Sequence, residues 1–595
     1  MAKKKTLPRL GLPWAYRAAV VAAILAFTWA LFFKSPAGPD AEAADAKINL
    51  RVRELEAELK RLKAQQSKLG LAPSASSIAS GSNFSGGGKG TVREQYEALP
   101  YPPRLPDYDN QVFVYPFSFD LPGLSAKFYG GRLLEQYGPG GKTLRILVAG
   151  CGTGDMAVAI FKSLDIWKVQ LPGAQLVALD LSSASLDITK SRIASLQAKG
   201  VGVLVDIRFV RGSLLETKSI GSQLGGLFDL IECAGVLHHL PDPVAGLASL
   251  ASLLKRDGAM VLMVYAESGR RGIYQMQLMG NLLANAADVP LMSESSRIMV
   301  RQLLASLHIK HPVVGDFCPD ESCSEQTDDH DSVLVDTFLH TQDRAYTVLQ
   351  LRDDLCEPAS MVVAGFVEPS VYDPAIYFSL KRPDANTSFE PQPLAGGIAD
   401  AIDKMSMLEK AAVAEAMATS IRKHQFYAVH REHVLPPEVP LVDEMAVPLL
   451  RLTCAPREAA ASFVATPGET NYLAFYHPVY GPLNGEYLVS PPSWILPPLT
   501  HKILKLVNGK RTTGEIINIL ERSSSTAVAN FDDGRSRRAD IKAQLVGLFH
   551  GLVQMGFLAV GYDSWPYEVQ TQYLVRYPFA KPNSDVCSIG FWRLG

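Results

Sequence analysis

Residues 144–149, 176–179, 228–234 and 259–265 are strand-length and predominantly apolar, and residues 205–210 alternate apolar with polar positions. Between them lie stretches with helical spacing, residues 157–164, 185–198 and 244–254, and a turn sequence, Lys255-Arg-Asp-Gly258. Apolar strands that each feed a helix predict an α/β, doubly wound fold built on a mostly parallel sheet.

The first strand runs straight into Gly150-Cys-Gly-Thr-Gly154. Glycines at alternate positions let the backbone turn sharply and approach a ligand that a Cβ would push away. The second strand ends on Asp180, 30 residues after Gly150, where a carboxylate can accept from both ribose hydroxyls of a nucleoside. A nicotinamide site usually wants Gly-x-Gly-x-x-Gly, and here the third glycine comes one residue early. A lapsed site is expected to lose Gly152 or Asp180, and both are present.

The order and spacing of these segments resemble the class I S-adenosylmethionine-dependent methyltransferases. The resemblance rests on Gly150-x-Gly-x-Gly154, on Asp180, and on Phe228-Asp-x-Ile followed by Val236-Leu-His-His-Leu-Pro-Asp-Pro243, about 125 residues in all. From Tyr96-Glu-Ala-Leu-Pro-Tyr-Pro102 to Tyr372 the wording also resembles uncharacterised bacterial methyltransferases. The resemblance implies a Rossmann-like sheet of seven strands and S-adenosyl-L-methionine as cofactor. Gly150, Cys151, Gly152 and Gly154 would then hold its methionine half, and Asp180 with Leu181 its ribose. Gly212 and Ser213 would face the adenine, and Ala234, Gly235 and Val236 would line the channel to the methyl. Ser213 stands where most relatives carry an acid, so adenine recognition would fall more to backbone. Tyr101 and the prolines around it would form an arm over the cofactor.

A sulfonium methyl is already activated, so catalysis is mainly alignment of an acceptor for in-line attack. A base is needed only where the acceptor gives up a proton. His238 or His239, just after the fourth strand, is the nearest candidate, the alternative being a cap or a packing residue beneath the loop.

Almost a hundred residues separate Tyr265 from the next apolar strand at 361–367, an insertion at the carboxyl edge of the sheet, where ligands bind. It holds a helix at 292–307, an acidic loop at 315–331 and the polar run Asp336–Thr347. Within that run His340, Asp343, Arg344 and Tyr346 are candidates for acceptor recognition; Thr347 could instead be an N-cap and Asp343 with Arg344 a surface ion pair. Arg270 and Arg271 could meet an anionic acceptor or face solvent.

The chain opens with a basic tail, residues 1–13, and an apolar span, residues 14–33, of about the 20 residues a bilayer needs. Lys3, Lys4, Lys5, Arg9 and Arg17 outweigh Lys34, so the positive-inside rule keeps the tail cytosolic and sends the rest across; tail, anchor, stem and enzyme domain in that order resemble the layout of single-pass type II membrane enzymes of the secretory pathway. A cleaved signal peptide, an organellar targeting segment and the opposite, cytosol-facing topology are the alternatives. Ile48, Val52, Leu55, Leu59, Leu62 and Leu69 follow an a/d rhythm over residues 44–69, a coiled-coil stem suited to a homodimer. Residues 70–92 are a Gly/Ser-rich linker. Sequons begin at Asn83 and Asn386.

The methyltransferase domain is expected over residues 93–430, its substrate cap at about 266–346, and a helical stretch at 401–418 near its end. Residues 431–595 read as a smaller α+β domain. Helices at 496–506, 513–521 and 541–557 and a strand at 558–560 resemble a winged helix. Net charge is −2, and the third helix has Lys542 as its only base, so neither the chain nor this domain offers the basic face nucleic acid requires. Seven cysteines make no disulfide framework. Cys151 and Cys233 read as small core residues, and Cys318 and Cys323 could close a local disulfide in an oxidising compartment. Their spacing with His311 and His330 fits no metal pattern, so no metal is expected. The reading is a membrane-anchored methyltransferase acting on oxygen or nitrogen of an acceptor. The alternative is a membrane scaffold that keeps the fold without catalysis and works through its C-terminal domain.

Overall fold

Seven strands form one sheet: β1 (Arg145–Ala149), β2 (Gln175–Asp180), β3 (Asp206–Arg211), β4 (Phe228–Ala234), β5 (Leu254–Tyr265), β6 (Met361–Phe366) and β7 (Lys423–His430). Their order is β3-β2-β1-β4-β5-β7-β6; β1 to β5 run parallel, and β7 lies antiparallel between β5 and β6. This is a computed structural model, and it describes residues 91–110, 117–308, 311, 313, 329–378, 396–418, 421–441, 443–450, 502–503, 506–507, 509–523, 537–554 and 558–565. The apolar span at 14–33, the stem at 44–69, nearly all of the linker, both sequons, Cys318 and Cys323 lie outside the described residues. Among the described residues no helix is long and apolar enough to cross a membrane.

Before the sheet come α1 (Val92–Ala98) and α2 (Leu121–Phe128). Thr91 starts α1 with a capping box, its hydroxyl accepting from Glu94 N–H while the Glu94 carboxylate accepts from Thr91 N–H. On one face of the sheet α3 (Asp155–Ile166) and α4 (Ser183–Gln197) bury Phe161, Leu164, Leu186 and Ile193 against Ile146, Val148 and Leu176. On the other, α5 (Thr217–Leu224) and α6 (Pro243–Leu253) bury Leu224, Leu247 and Leu250 against Leu147, Leu179 and Ile231. Strand residues alternate between the two cores, as the pleat requires. Strand order reverses between β1 and β4, so a crevice opens at their carboxyl ends.

The turn expected at Lys255–Gly258 is instead the start of β5, which pairs from Leu254 with Phe228. A register shift between Phe228 and Leu230 absorbs it, and a Cβ at Gly258 would sit 2.7 Å from the Asp229 carbonyl oxygen. The insertion begins with a helix that the sequence reading missed, α7 (Glu267–Ala286). Its buried positions, Ile273, Met276, Gly280 and Ala284, have helical spacing but mixed size, which weakens the apolar signal. With α8 (Glu294–Ser306) and α9 (Asp329–Phe338) it encloses a small core of its own, including Val300, Leu304, Val335 and Phe338. The stretch expected to be one helix at 401–418 is two, Gly396–Asp403 and α10 (Met407–Ala418). Ser406 breaks it by exchanging hydrogen bonds with Glu409.

Beyond residue 431, β8 (Val447–Leu450) and β9 (Leu558–Gly561) pair antiparallel, and α11 (Thr513–Arg522) and α12 (Arg537–Gln554) close a separate core around Ile516, Ile517, Leu545 and Phe549. The residues after β9 anchor this part to the sheet domain. Tyr562 and Asp563 N–H donate to the Gly131 carbonyl, the Asp563 carboxylate accepts from Ser125 Oγ at 2.7 Å, and Trp565 packs edge-on against Trp167.

Asp229 ties three strand starts together. Its buried carboxylate accepts from Tyr137 Oη (2.6 Å), Arg145 N (2.8 Å) and Lys255 Nζ (2.7 Å). Asp229→Ala is expected to cost about 3 kcal/mol by leaving these donors unmatched, read as a lower urea midpoint with unchanged slope.

Candidate functional site

The crevice is built from the glycine turn outward. Gly150, Gly152 and Gly154 all have positive φ. A Cβ on Gly150 would lie 2.4 Å from Val236 Cγ2, and one on Gly152 would lie 3.1 Å from the Tyr101 carbonyl oxygen. Asp180 organises the turn: one carboxylate oxygen accepts from Gly152 N at 2.7 Å and the other from Ser182 N at 2.8 Å. Burial pushes this carboxyl up, while those N–H donors and that of Leu181 pull it down. Gly212 N–H donates to the Asp180 carbonyl, and the Ser213 hydroxyl accepts from Leu215 N, so Ser213 caps a short helix. Gly235 N–H donates to the Met263 carbonyl, placing the Ala234–Val236 turn beside β5.

The segment from α1 to Asn110 lies across this edge. Thr153 Oγ1 donates to the Pro102 carbonyl, and Arg104 holds Asp155 through two hydrogen bonds (2.9 and 2.6 Å). Arg192, buried, grips Asp109 twice and Asp155 once. The structure thus puts Tyr101 over the glycine turn, where the resemblance placed an arm.

Next to the Val236 turn a second constellation assembles. His238 is buried with neither ring nitrogen partnered among the described residues, and its ring lies 3.9 Å from that of Tyr265. Burial drives its pKa well down, with the charges of His239, Arg270 and His340 adding to the effect. His239 differs: its Nδ1 donates to the Gln342 carbonyl at 2.8 Å, which leaves Nε2 as the acceptor nitrogen of the neutral ring. His340 takes the opposite tautomer. Its Nδ1 accepts from Gln342 N (3.0 Å), and its Nε2 faces Tyr96 Oη (3.1 Å). Tyr96 Oη donates to Asp336 at 2.9 Å, and Tyr265 Oη approaches the other oxygen at 3.4 Å. Burial raises the pKa of Asp336, opposed by His239, Tyr96 and Arg270.

His239, Asp336 and His340 each place a potential ligand atom within 4.8 Å of the others. The two imidazoles are stacked, 3.8 Å between centroids and 20° apart, so their in-plane lone pairs run side by side and do not converge on one ion. Tyr96 Oη already bridges His340 and Asp336, and the trio is better described as a hydrogen-bond network.

The other acceptor candidates part company. Asp343 is buried and pairs with Arg270 at 3.3 Å and Gln277 at 3.1 Å, so these two charges balance each other beneath Tyr265. Arg271 is exposed. Arg344, half-exposed, pairs with Asp354 and not with Asp343. Tyr346 is a core residue on the far face of the sheet, and Thr347 does form an N-cap. His340 alone of the four joins the polar network beside His239.

Sequence reasoning passed over Tyr265, Asp336 and Glu232 and quoted Tyr96 only within a motif. Asp336 and His340 stand four residues apart, a spacing that marks one helical face. Glu232, inside β4, carried no such signal. Its carboxyl is enclosed beside Cys151, and burial pushes it up to about 8.

Residues 147–260 match the family model described as a methyltransferase domain. An uncharacterized protein of a Synechococcus species is 32% identical over 288 residues, 48% of this chain and 61% of that protein. A ubiquinone biosynthesis O-methyltransferase of Xanthomonas axonopodis pv. citri is 31% identical over 118 residues, 20% of this chain and 41% of the enzyme. The chain therefore spans less than two thirds of the curated relatives it matches. Among solved structures, PKMT2 from Rickettsia typhi in complex with AdoHcy aligns over 78% of each chain with 15% identity and a TM-score of 0.47. The centre of the chain is a methyltransferase domain with S-adenosylmethionine as its cofactor, and the glycine turn and Asp180 fall within the matched residues.

Asp180→Ala is expected to weaken S-adenosylhomocysteine binding about tenfold or more, the worth of one charge-assisted hydrogen bond, read by titration calorimetry. Glu232 gives a pH signature. Raised from near 4.5 to about 8, it stays protonated in the folded chain while the unfolded chain ionises, so stability falls as pH rises from 4.5 to 8. Glu232→Gln should flatten that slope in chemical denaturation at pH 5, 6.5 and 8; an unchanged slope means the carboxyl is already ionised.

Proposed function

We propose that the protein transfers the methyl group of S-adenosylmethionine to an oxygen or nitrogen that loses a proton in the same site, with His239 as base. The observation that carries this reading is the oriented His239 ring, its Nδ1 tied to the Gln342 carbonyl, three residues past the Val236 turn. His238 is the weaker candidate, because a buried imidazole with no partner resists the charge a base must acquire. The O-methyltransferases among the relatives make a hydroxyl the first acceptor to try.

The reading includes a membrane setting. Residues 14–33, flanked by Lys3, Lys4, Lys5 and Arg9, are proposed to anchor the chain as a type II protein with the enzyme domain in the secretory-pathway lumen. The heptad stem at 44–69 is proposed to pair two copies. The C-terminal part is proposed to act as a winged-helix-like accessory domain that docks substrate, not nucleic acid. Helix α12 starts at Arg537 and so carries Arg537 and Arg538 besides Lys542; Arg538 and Lys542, both partly exposed, pair with Glu444, and Arg537 donates to the Ser523 carbonyl.

Incubation of the full chain with methyl-labelled cofactor and host extract, fractionated into protein, glycan and lipid, tests the activity. Label is expected in one fraction with wild type and at least about a hundredfold less with His239→Ala, the usual range for a lost base. Label that persists in the variant removes His239 from the chemistry. In sealed vesicles the large domain should resist protease until detergent is added; digestion without detergent contradicts the lumenal placement.

A further inference from the structure

Tyr96 belongs to two places at once. Its hydroxyl stands between His340 Nε2 (3.1 Å) and Asp336 (2.9 Å), while the helix that carries it is fastened to the cofactor edge. Glu97, the next residue, accepts from Ser183 N (3.0 Å), Ser183 Oγ (2.9 Å) and Ala184 N (3.1 Å) at the start of α4, and Ser182 Oγ donates to the Tyr96 carbonyl. Ser182 is also the residue whose N–H Asp180 accepts. On the acceptor side Gln95, buried, accepts from Thr341 N. One turn of helix thus connects the nucleoside edge to the polar network.

The hydrogen bonds in that network have one consistent direction. Gln342 N–H occupies His340 Nδ1, so the His340 proton is on Nε2 and points to Tyr96 Oη. Tyr96 then donates onward to Asp336, and Tyr265 donates to the other oxygen of the same carboxylate. Both oxygens of Asp336 therefore accept, which suits the ionised form. That carboxylate lies within 4.8 Å of a His239 ring nitrogen. A base that becomes an imidazolium in a buried site needs such a counter-charge.

We propose that Tyr96 is a positioning residue for methyl transfer: its hydroxyl fixes Asp336 and His340 in the orientation that supports His239, and its helix makes this support depend on the segment closed over the cofactor. The inference rests on the proposed activity and deepens it. In the step itself the acceptor X–H attacks the methyl carbon, the carbon–sulfur bond breaks with its electron pair going to sulfur, and the proton passes to His239 Nε2. The products are X–CH3, S-adenosylhomocysteine and an imidazolium facing Asp336, which later returns its proton to solvent. The groups facing His239 are His238 at 4.1 Å between ring centroids, His340 at 3.8 Å, Tyr265 at 5.5 Å and Asp336. Arg270 stands over Tyr265, already paired with Asp343. Asp336 is thus the nearby anion without a cationic partner among the described residues.

The test uses the full chain, methyl-labelled S-adenosylmethionine and the extract fraction that wild type labels. Tyr96→Phe keeps the ring and removes the hydroxyl. At saturating cofactor its transfer rate is expected to fall about tenfold, a fraction of what loss of the base itself costs. S-adenosylhomocysteine affinity by calorimetry should stay within about twofold, since one turn of helix still seats on Ser183. Asp336→Asn should show the same split, with a similar melting temperature to establish folding. A wild-type rate in Tyr96→Phe, or a rate that falls only in step with cofactor affinity, would overturn the proposal. Wild type that binds S-adenosylhomocysteine yet labels no fraction overturns the enzyme reading instead, and this inference with it.

Discussion

A carboxylate with two oxygens facing two backbone N–H groups fixes the geometry on which the crevice depends. Asp180 ends β2 and reaches sideways to Gly152, one strand over, while its other oxygen starts the turn into α4. The glycine turn cannot hold its shape alone, because three residues at positive φ carry a high entropic cost on ordering. The cross-strand bond offsets that cost and aims the turn. Val236 and Tyr101 then close from either side, at distances that leave no space for a Cβ on Gly150 and little on Gly152.

Much of this was legible in the sequence. Strands β1 to β4, the glycine turn, Asp180 and the long insertion followed from apolar run length, flanking helices and loop chemistry, because local signals and tertiary role agree there. Where they diverged, the reading failed. Lys255, Arg256, Asp257 and Gly258 look like a turn, yet sheet pairing and a bulge recruit them into β5. Helix α7 buries small and polar residues among its apolar ones, since Arg270 and Gln277 are spent on Asp343. Tyr346 looked like a polar ligand and is a core residue. Side-chain partners over such separations are a product of folding and leave no local trace.

The acceptor network shows the same limit more sharply. Tyr96, His239, Asp336 and His340 come from three segments with up to 244 residues between partners. The two adjacent histidines stood out because they follow a recognisable strand, and His340 because it sits in a polar run, while nothing local marked Tyr96 or Asp336. The structure separates the adjacent pair by environment: one imidazole is buried with no partner among the described residues, and the other is oriented by a backbone carbonyl.

The sheet's last two strands have an order in space that differs from their order in the chain. β6, made first, pairs among the described strands with β7 alone, and β7 follows it by more than fifty residues. On the ribosome, therefore, the nascent domain carries β5 as an open edge, with β6 unattached, until residue 430 has left the tunnel. An exposed apolar edge of that kind invites pairing with other chains. A fragment cut anywhere upstream of β7 inherits the same liability permanently, and expression work on this enzyme domain has to take residues 423–430 as part of its minimum.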